Sequence, residues 1–94
     1  MAIYVDSTGF NIVLNVLQDI SNSTVRRIYY KKPSAETGYW EASLRGLTEI
    51  THSILQEDLD EVGRWELQAY VETSGWSCYG EIVYMDVEQN IEAS

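Results

Sequence analysis

Apolar and polar residues alternate one for one along most of the chain. From Arg64 onward, Trp65, Leu67, Ala69 and Val71 are interleaved with Arg64, Glu66, Gln68, Tyr70 and Glu72. That is the period of a strand with one face in a core and the other in water or against a partner. The segment YGEIVYMDVE sets Val83, Met85 and Val87 on one side and Ile82, Tyr84 and Asp86 on the other, so its outer face stays partly apolar. Phe10, Ile12, Leu14 and Val16 form a third set. Ile28 and Tyr30 form a fourth, with Arg27, Tyr29 and Lys31 opposite, and Ile50, His52 and Ile54 a fifth. The separating stretches STG, DISNST, PSAETG, RG, EDLDEVG and TSG carry turn chemistry roughly every 8 to 12 residues, the spacing of a sandwich or barrel. The pattern predicts about seven strands, near 2–5, 10–17, 25–32, 39–44, 48–55, 64–71 and 78–88. No segment carries a helical stripe, and only QEDLDEV could form one turn. Pro33 cannot donate within a central ladder and belongs at a hairpin end.

Composition narrows the setting. The 94 residues are 45% apolar and 22% charged, which fits a single globular domain over 1–94 with 89–94 as a short tail. The lone Cys78 has no internal partner, so an apolar core must hold the fold, as suits a reducing compartment such as a bacterial cytoplasm. The first 25 residues lack Lys and Arg, and no run of 18 apolar residues occurs, so neither a secretory leader nor a membrane span is expected. Net charge is -9 and uneven: residues 1–47 hold five bases against four acids, and residues 48–94 hold Arg64 against eleven acids. Such a balance repels nucleic acid and anionic membrane.

The stretch DLDEVGRWELQAYVE is the first candidate for chemistry, because Glu57, Asp58, Asp60 and Glu61 crowd its approach. Read as a calcium loop from Asp58, it places Asp60 and Gly63 correctly but puts Val62 and Ala69 where ligands must stand. Read as a corner it is consistent: Leu59 anchors inward, Gly63 takes a positive φ, Trp65 enters the core, and the acids point into water. GWSCYG is a near miss to a serine nucleophile elbow, since its second glycine comes one residue late and a strand follows. His52 fits a core-edge imidazole with one hydrogen bond, and with Cys78 it supplies only two of the four ligands zinc needs. No carboxylate pair and no Gly-rich phosphate loop stands out, and Asn22-Ser23-Thr24 reads as a turn. No catalytic residue, cofactor or metal is expected, and the chain does not read as an enzyme.

What remains is surface. Seven Tyr, three Trp and one Phe exceed what one small core takes up, and strand parity sends Tyr29, Tyr70 and Tyr84 outward. RRIYYKK interleaves aromatics with bases, with Arg27, Tyr29 and Lys31 on one outward face. The candidate interface is therefore Arg27, Tyr29, Lys31, Tyr70, Trp76 and Tyr84. Protein contacts, sugar stacking by Tyr and Trp, and single-strand nucleic-acid binding all use such residues, the last being opposed by the net charge.

KKPSAETGYWEASL and DLDEVGRWELQAYVETSGWSCYGEIVYMDV give the chain a resemblance to the small immunoglobulin-like domains of tailed phages and prophages, related to the N-terminal domain of baseplate upper proteins. Lys32-Pro33, Gly38, Trp40, the corner Asp58, Asp60, Gly63, Trp65, and Gly80-Glu81 carry it, over about residues 3–88. The resemblance implies an immunoglobulin-like antiparallel β-sandwich serving as a virion building block, in the tail or baseplate or as a capsid decoration. It implies contacts with other virion proteins and with copies of itself, assembled in the host cytoplasm. It offers no active site to carry over, and no second domain is expected after residue 94.

Overall fold

The computed structural model describes residues 3–4, 9–55 and 58–88. Among them the chain forms β1 (Ile3–Tyr4), β2 (Asn11–Asn15), β3 (Val25–Lys31), β4 (Thr37–Glu41), β5 (Ser43–Arg45), β6 (Glu49–Ser53), β7 (Gly63–Glu72) and β8 (Ser77–Glu88). The larger sheet runs β8-β7-β3-β4, all antiparallel, with β1 added in parallel at the far end of β8; the smaller runs β2-β6-β5. The two sheets enclose one apolar interior, an all-β sandwich.

Alternation places this interior well. Ile28, Trp65 and Val71 from the larger sheet and Ile50 from the smaller are fully buried, while Ile20 and Leu59 close it from the connections. Each such side chain contributes about 1.5–3 kcal/mol relative to exposure. No polar or charged side chain among the described residues is buried with them.

The strand expected at 39–44 is in fact two. Its first half, β4, pairs with β3 and its second, β5, with β6. The N–H of Ala42 still donates to the Arg26 carbonyl at 3.1 Å, the last rung in the larger sheet, before Ser43 meets Thr51 in the smaller. Alternation cannot reveal this crossing, because Trp40, Ala42 and Leu44 keep facing the same core while their backbone changes layers.

β7 is central and paired on both sides. Toward β8, Gln68 faces Ile82 and Tyr70 faces Tyr79, so Ala69 alone opposes both Gly80 and Glu81. This β-bulge resets parity. Val83, Met85 and Val87 point to the core side after it, and Cys78 does so before it, which leaves Tyr79 on the outer face beside Tyr70.

The corner before β7 forms as its sequence predicts. Leu59 is buried, Gly63 sits at φ 132°, and Trp65 enters the core and donates its Nε1–H to the Glu61 carbonyl at 3.1 Å. A Cβ on Gly63 would stand 2.6 Å from Cγ of Pro33, the residue that turns β3 into β4.

The acids of this corner correct an expectation, for they do not simply point into water. The Lys32 ammonium lies 3.0 Å from Asp60, 3.1 Å from Glu36 and 4.0 Å from Glu61. Glu61 also accepts from the N–H and Oγ of Ser34 at 3.1 and 3.0 Å. Asp58 Oδ2 accepts from the N–H of Leu55 at 2.8 Å and meets His52 Nε2 at 2.9 Å. His52 makes two hydrogen bonds rather than one, its Nδ1 facing the Glu41 carbonyl at 3.2 Å, and its ring stacks on Trp40 at 4.9 Å. Glu57 lies outside the described residues. The hydrogen bond to Asp60 holds the Lys32 ammonium well above the usual lysine range.

Candidate interaction surface

Strand register lays out the outer face of the larger sheet in rows that cross β4, β3, β7 and β8. One row is Glu41, Arg27, Tyr70, Tyr79; the next is Tyr39, Tyr29, Gln68, Ile82; the third is Thr37, Lys31, Glu66, Tyr84. Side chains directly opposite or one step diagonal across strands touch. Tyr29 is accordingly a hub, with ring centroids 5.8 Å from Tyr39, 5.7 Å from Tyr70 and 6.3 Å from Tyr79, and Tyr70 and Tyr79 lie 4.7 Å apart.

Arg27 is set into this cluster. Its guanidinium carbon lies 4.5 Å from the centroid of the Tyr39 ring, and one terminal N–H donates to the Tyr29 hydroxyl at 3.4 Å. The Tyr29 hydrogen bond raises its basicity further. Its Nε is covered, is 3.7 Å from Glu41 Oε1, and makes no hydrogen bond. The Tyr70 hydroxyl donates to Glu72 at 2.6 Å, and that bond to a carboxylate pushes the phenol above its ordinary pKa.

Much of this face is uncovered. Tyr79, Tyr84, Ile82 and Tyr39 are exposed by 63, 59, 50 and 46%, which makes a contiguous aromatic and aliphatic patch rather than scattered single residues. Between the Tyr29 and Tyr39 rings and Ile82 lies a shallow depression of about 350 Å³, rimmed also by Lys31, Glu66 and Gln68. Each cation of the face stands beside an acid: Arg27 by Glu41, Lys31 opposite Glu66, and Arg64 bonded to Asp86 at 3.1 Å.

Of the residues picked from sequence, Arg27, Tyr29 and Tyr70 are brought together, and Lys31 and Tyr84 lie further along the same face. Trp76 does not join them. It sits half-exposed in the Thr73–Trp76 turn between β7 and β8, where its N–H donates to Thr73 Oγ1 at 3.2 Å, and it belongs to none of the aromatic pairs of the face. Tyr39, Tyr79 and Ile82 complete the surface without having been picked. Tyr39 was within reach of parity, since an inward Trp40 sends its neighbour outward. Tyr79 needs the bulge, whose sequence signal is Gly80 inside an otherwise unbroken strand.

Among the described residues no cluster of three His, Cys, Asp or Glu is placed to hold a metal ion, and no helix is long and apolar enough to cross a membrane. Compared with protein-family models, with curated proteins and with solved structures, the chain matches none of them.

Proposed function

We propose that the chain is a non-enzymatic, immunoglobulin-like module that binds another protein through the outer face of its larger sheet, as a building block of a tailed-phage tail, baseplate or capsid. The observation that carries this reading is the exposed patch of Tyr39, Tyr29, Tyr79, Ile82 and Tyr84 around Arg27, since Tyr and Arg are the residues enriched where proteins meet. Connectivity supports the immunoglobulin-like part: β8, β7 and β3 lie side by side with β4 beyond, and β2, β6 and β5 form the opposing sheet, the order expected of a GFC sheet extended by C′ over a BED sheet. The phage setting rests on the sequence resemblance alone.

Geometry weighs against the other uses of these residues. Sugar platforms present flat ring faces, whereas Tyr29 meets Tyr39 and Tyr70 at 62° and 64°, edge to face. Single-stranded nucleic acid needs a track of unopposed cations, and here Arg27 and Arg64 stand beside carboxylates and Lys31 sits in register opposite Glu66. The test is mass spectrometry of purified particles from a strain that encodes the chain, with and without Tyr39→Ser and Tyr79→Ser. Stoichiometric incorporation that the double variant abolishes while it stays folded is the expected result. Absence from particles removes the virion role, and glycan binding lost in the same variant would favour the carbohydrate reading instead.

A further inference from the structure

β8 is twelve residues long, yet among the described residues its outer edge is covered only at Val87 and Glu88, by β1. Among the described residues no strand pairs with the rest of that edge, which makes it a template for another strand unless something guards it. Guards are sparse. From Ile82 to Met85 there is no charge and no proline, and the bulge at Gly80 and Glu81 lies just before this stretch.

The side chains along the edge are unfinished on both faces. Ile82 and Tyr84 are exposed on the outer face, and Val83, on the inner face, is 42% exposed. Beside Val83 the sandwich stays open as a recess of about 290 Å³, lined also by Val13, Leu14 and Leu17, the last 74% exposed.

We propose that two copies of the chain pair antiparallel along β8, about a two-fold axis at Val83, joining their larger sheets into one. The register follows from the free segment itself. Among the described residues the bulge bounds it at Gly80 and β1 bounds it after Asp86, and Val83 is its midpoint. Centred there, Ile82 faces Tyr84 of the second copy twice on the outer face, and the two Val83 side chains meet on the inner face. Paired residues thus keep the same side of the sheet, as antiparallel pairing requires. No carboxylate then faces another, since Glu81 falls opposite Met85 and Asp86 opposite Gly80. Centring on Tyr84 would set Asp86 against Ile82, and centring on Ile82 would run the pairing into the bulge. This edge shares Ile82 and Tyr84 with the outer patch but lies apart from the Tyr29 hub, and its pairing runs through the β8 backbone, so it stands whether or not the hub binds a partner.

Each copy carries -9 charges, so the dimer must form against long-range repulsion and should tighten with salt as the Debye length shrinks from about 10 Å at 0.1 M to about 3 Å at 1 M. Sedimentation equilibrium should show a concentration-dependent dimer that salt strengthens, and Val83→Lys should weaken it at least about tenfold by placing two ammonium groups at the axis. Val83→Cys in a Cys78→Ser background should be captured as a disulfide-linked dimer under oxidised glutathione, whereas Thr37→Cys on the opposite edge should not. A monomeric mass up to about 1 mM overturns the proposal. So does equal cross-linking at both positions, or a dimer that survives Val83→Lys and is lost in Tyr39→Ser with Tyr79→Ser. Should Val83→Lys fail to fold, the cross-linking comparison decides.

Discussion

Of the cations that rest on aromatic rings beside carboxylates, Lys32 and Arg27 do opposite things. Lys32 lies 5.9 Å from the Tyr30 centroid and 5.8 Å from the Trp65 centroid, with only 10% of its side chain exposed and three carboxylates around it. Arg27 lies over Tyr39 with 32% of its side chain exposed, one weak hydroxyl contact, and a carboxylate beyond hydrogen-bond reach. Lys32 closes the end of the core and ties the β3–β4 hairpin to the corner before β7. Arg27 closes nothing. The same chemistry fastens a fold where its partners are complete and leaves an open surface where they are not.

The corner should therefore break hardest. Gly63→Ala forces a Cβ into the rigid ring of Pro33 at a φ of 132°, and pulls the hairpin bearing Lys32 away from Asp60. A loss of about 3 kcal/mol in urea unfolding is expected; a loss below about 1 kcal/mol would mean the corner yields freely. Lys32→Met keeps the apolar stem over Tyr30 and Trp65 but leaves Glu36, Asp60 and Glu61 facing one another, and should cost about 2 kcal/mol. Because the folded state raises the Lys32 pKa above its ordinary 10.5, the stabilisation is complete below that value and falls as pH climbs toward the folded one. Unfolding midpoints measured from pH 9 upward should thus fall for the wild type mainly above about 10.5, and that fall should be shallower in Lys32→Met.

The corner shows how far the sequence could be read. Leu59, Gly63 and Trp65 were legible because a buried anchor, a positive φ and a strand entry are local demands, each stamped on one residue type. Lys32 was not, because its partners Asp60 and Glu61 lie 28 and 29 positions away and only register brings them near. The outer face divides the same way. Tyr29 and Tyr70 follow from simple alternation, but Tyr79 depends on one extra residue at Gly80, and alternation cannot count a bulge. The crossing at Ala42 was hidden for a related reason, since parity reports which way a side chain points and not which sheet its backbone has joined.

Within the hairpin that carries Lys32, Ala35 holds a φ of 75° while its N–H donates to the Lys32 carbonyl at 2.8 Å. Ala35→Gly removes the strain of a Cβ in the left-handed region and should raise stability by up to about 1 kcal/mol, the gain being partly offset by a freer unfolded chain. An unchanged or lower urea midpoint would show that the turn does not bear on how firmly Lys32 is presented.

The smallest effect on stability should come from the other cation, and it sharpens the comparison most. Arg27→Ala removes a guanidinium whose Nε makes no hydrogen bond and whose carboxylate neighbour Glu41 is solvated, so nothing buried is left unpaired. The urea midpoint should not move. What should change is the packing of the rings that the guanidinium touches: Tyr39 loses the cation over its face and Tyr29 loses its hydroxyl partner. The near-ultraviolet circular dichroism of the tyrosines should therefore shift, while Lys32→Met, just past the far end of β3, lowers the midpoint and leaves the signal of the Tyr29 hub in place. If Arg27→Ala instead destabilises as much as Lys32→Met, Arg27 is a second fastening of the fold, and the outer face loses its claim to be held open for a partner.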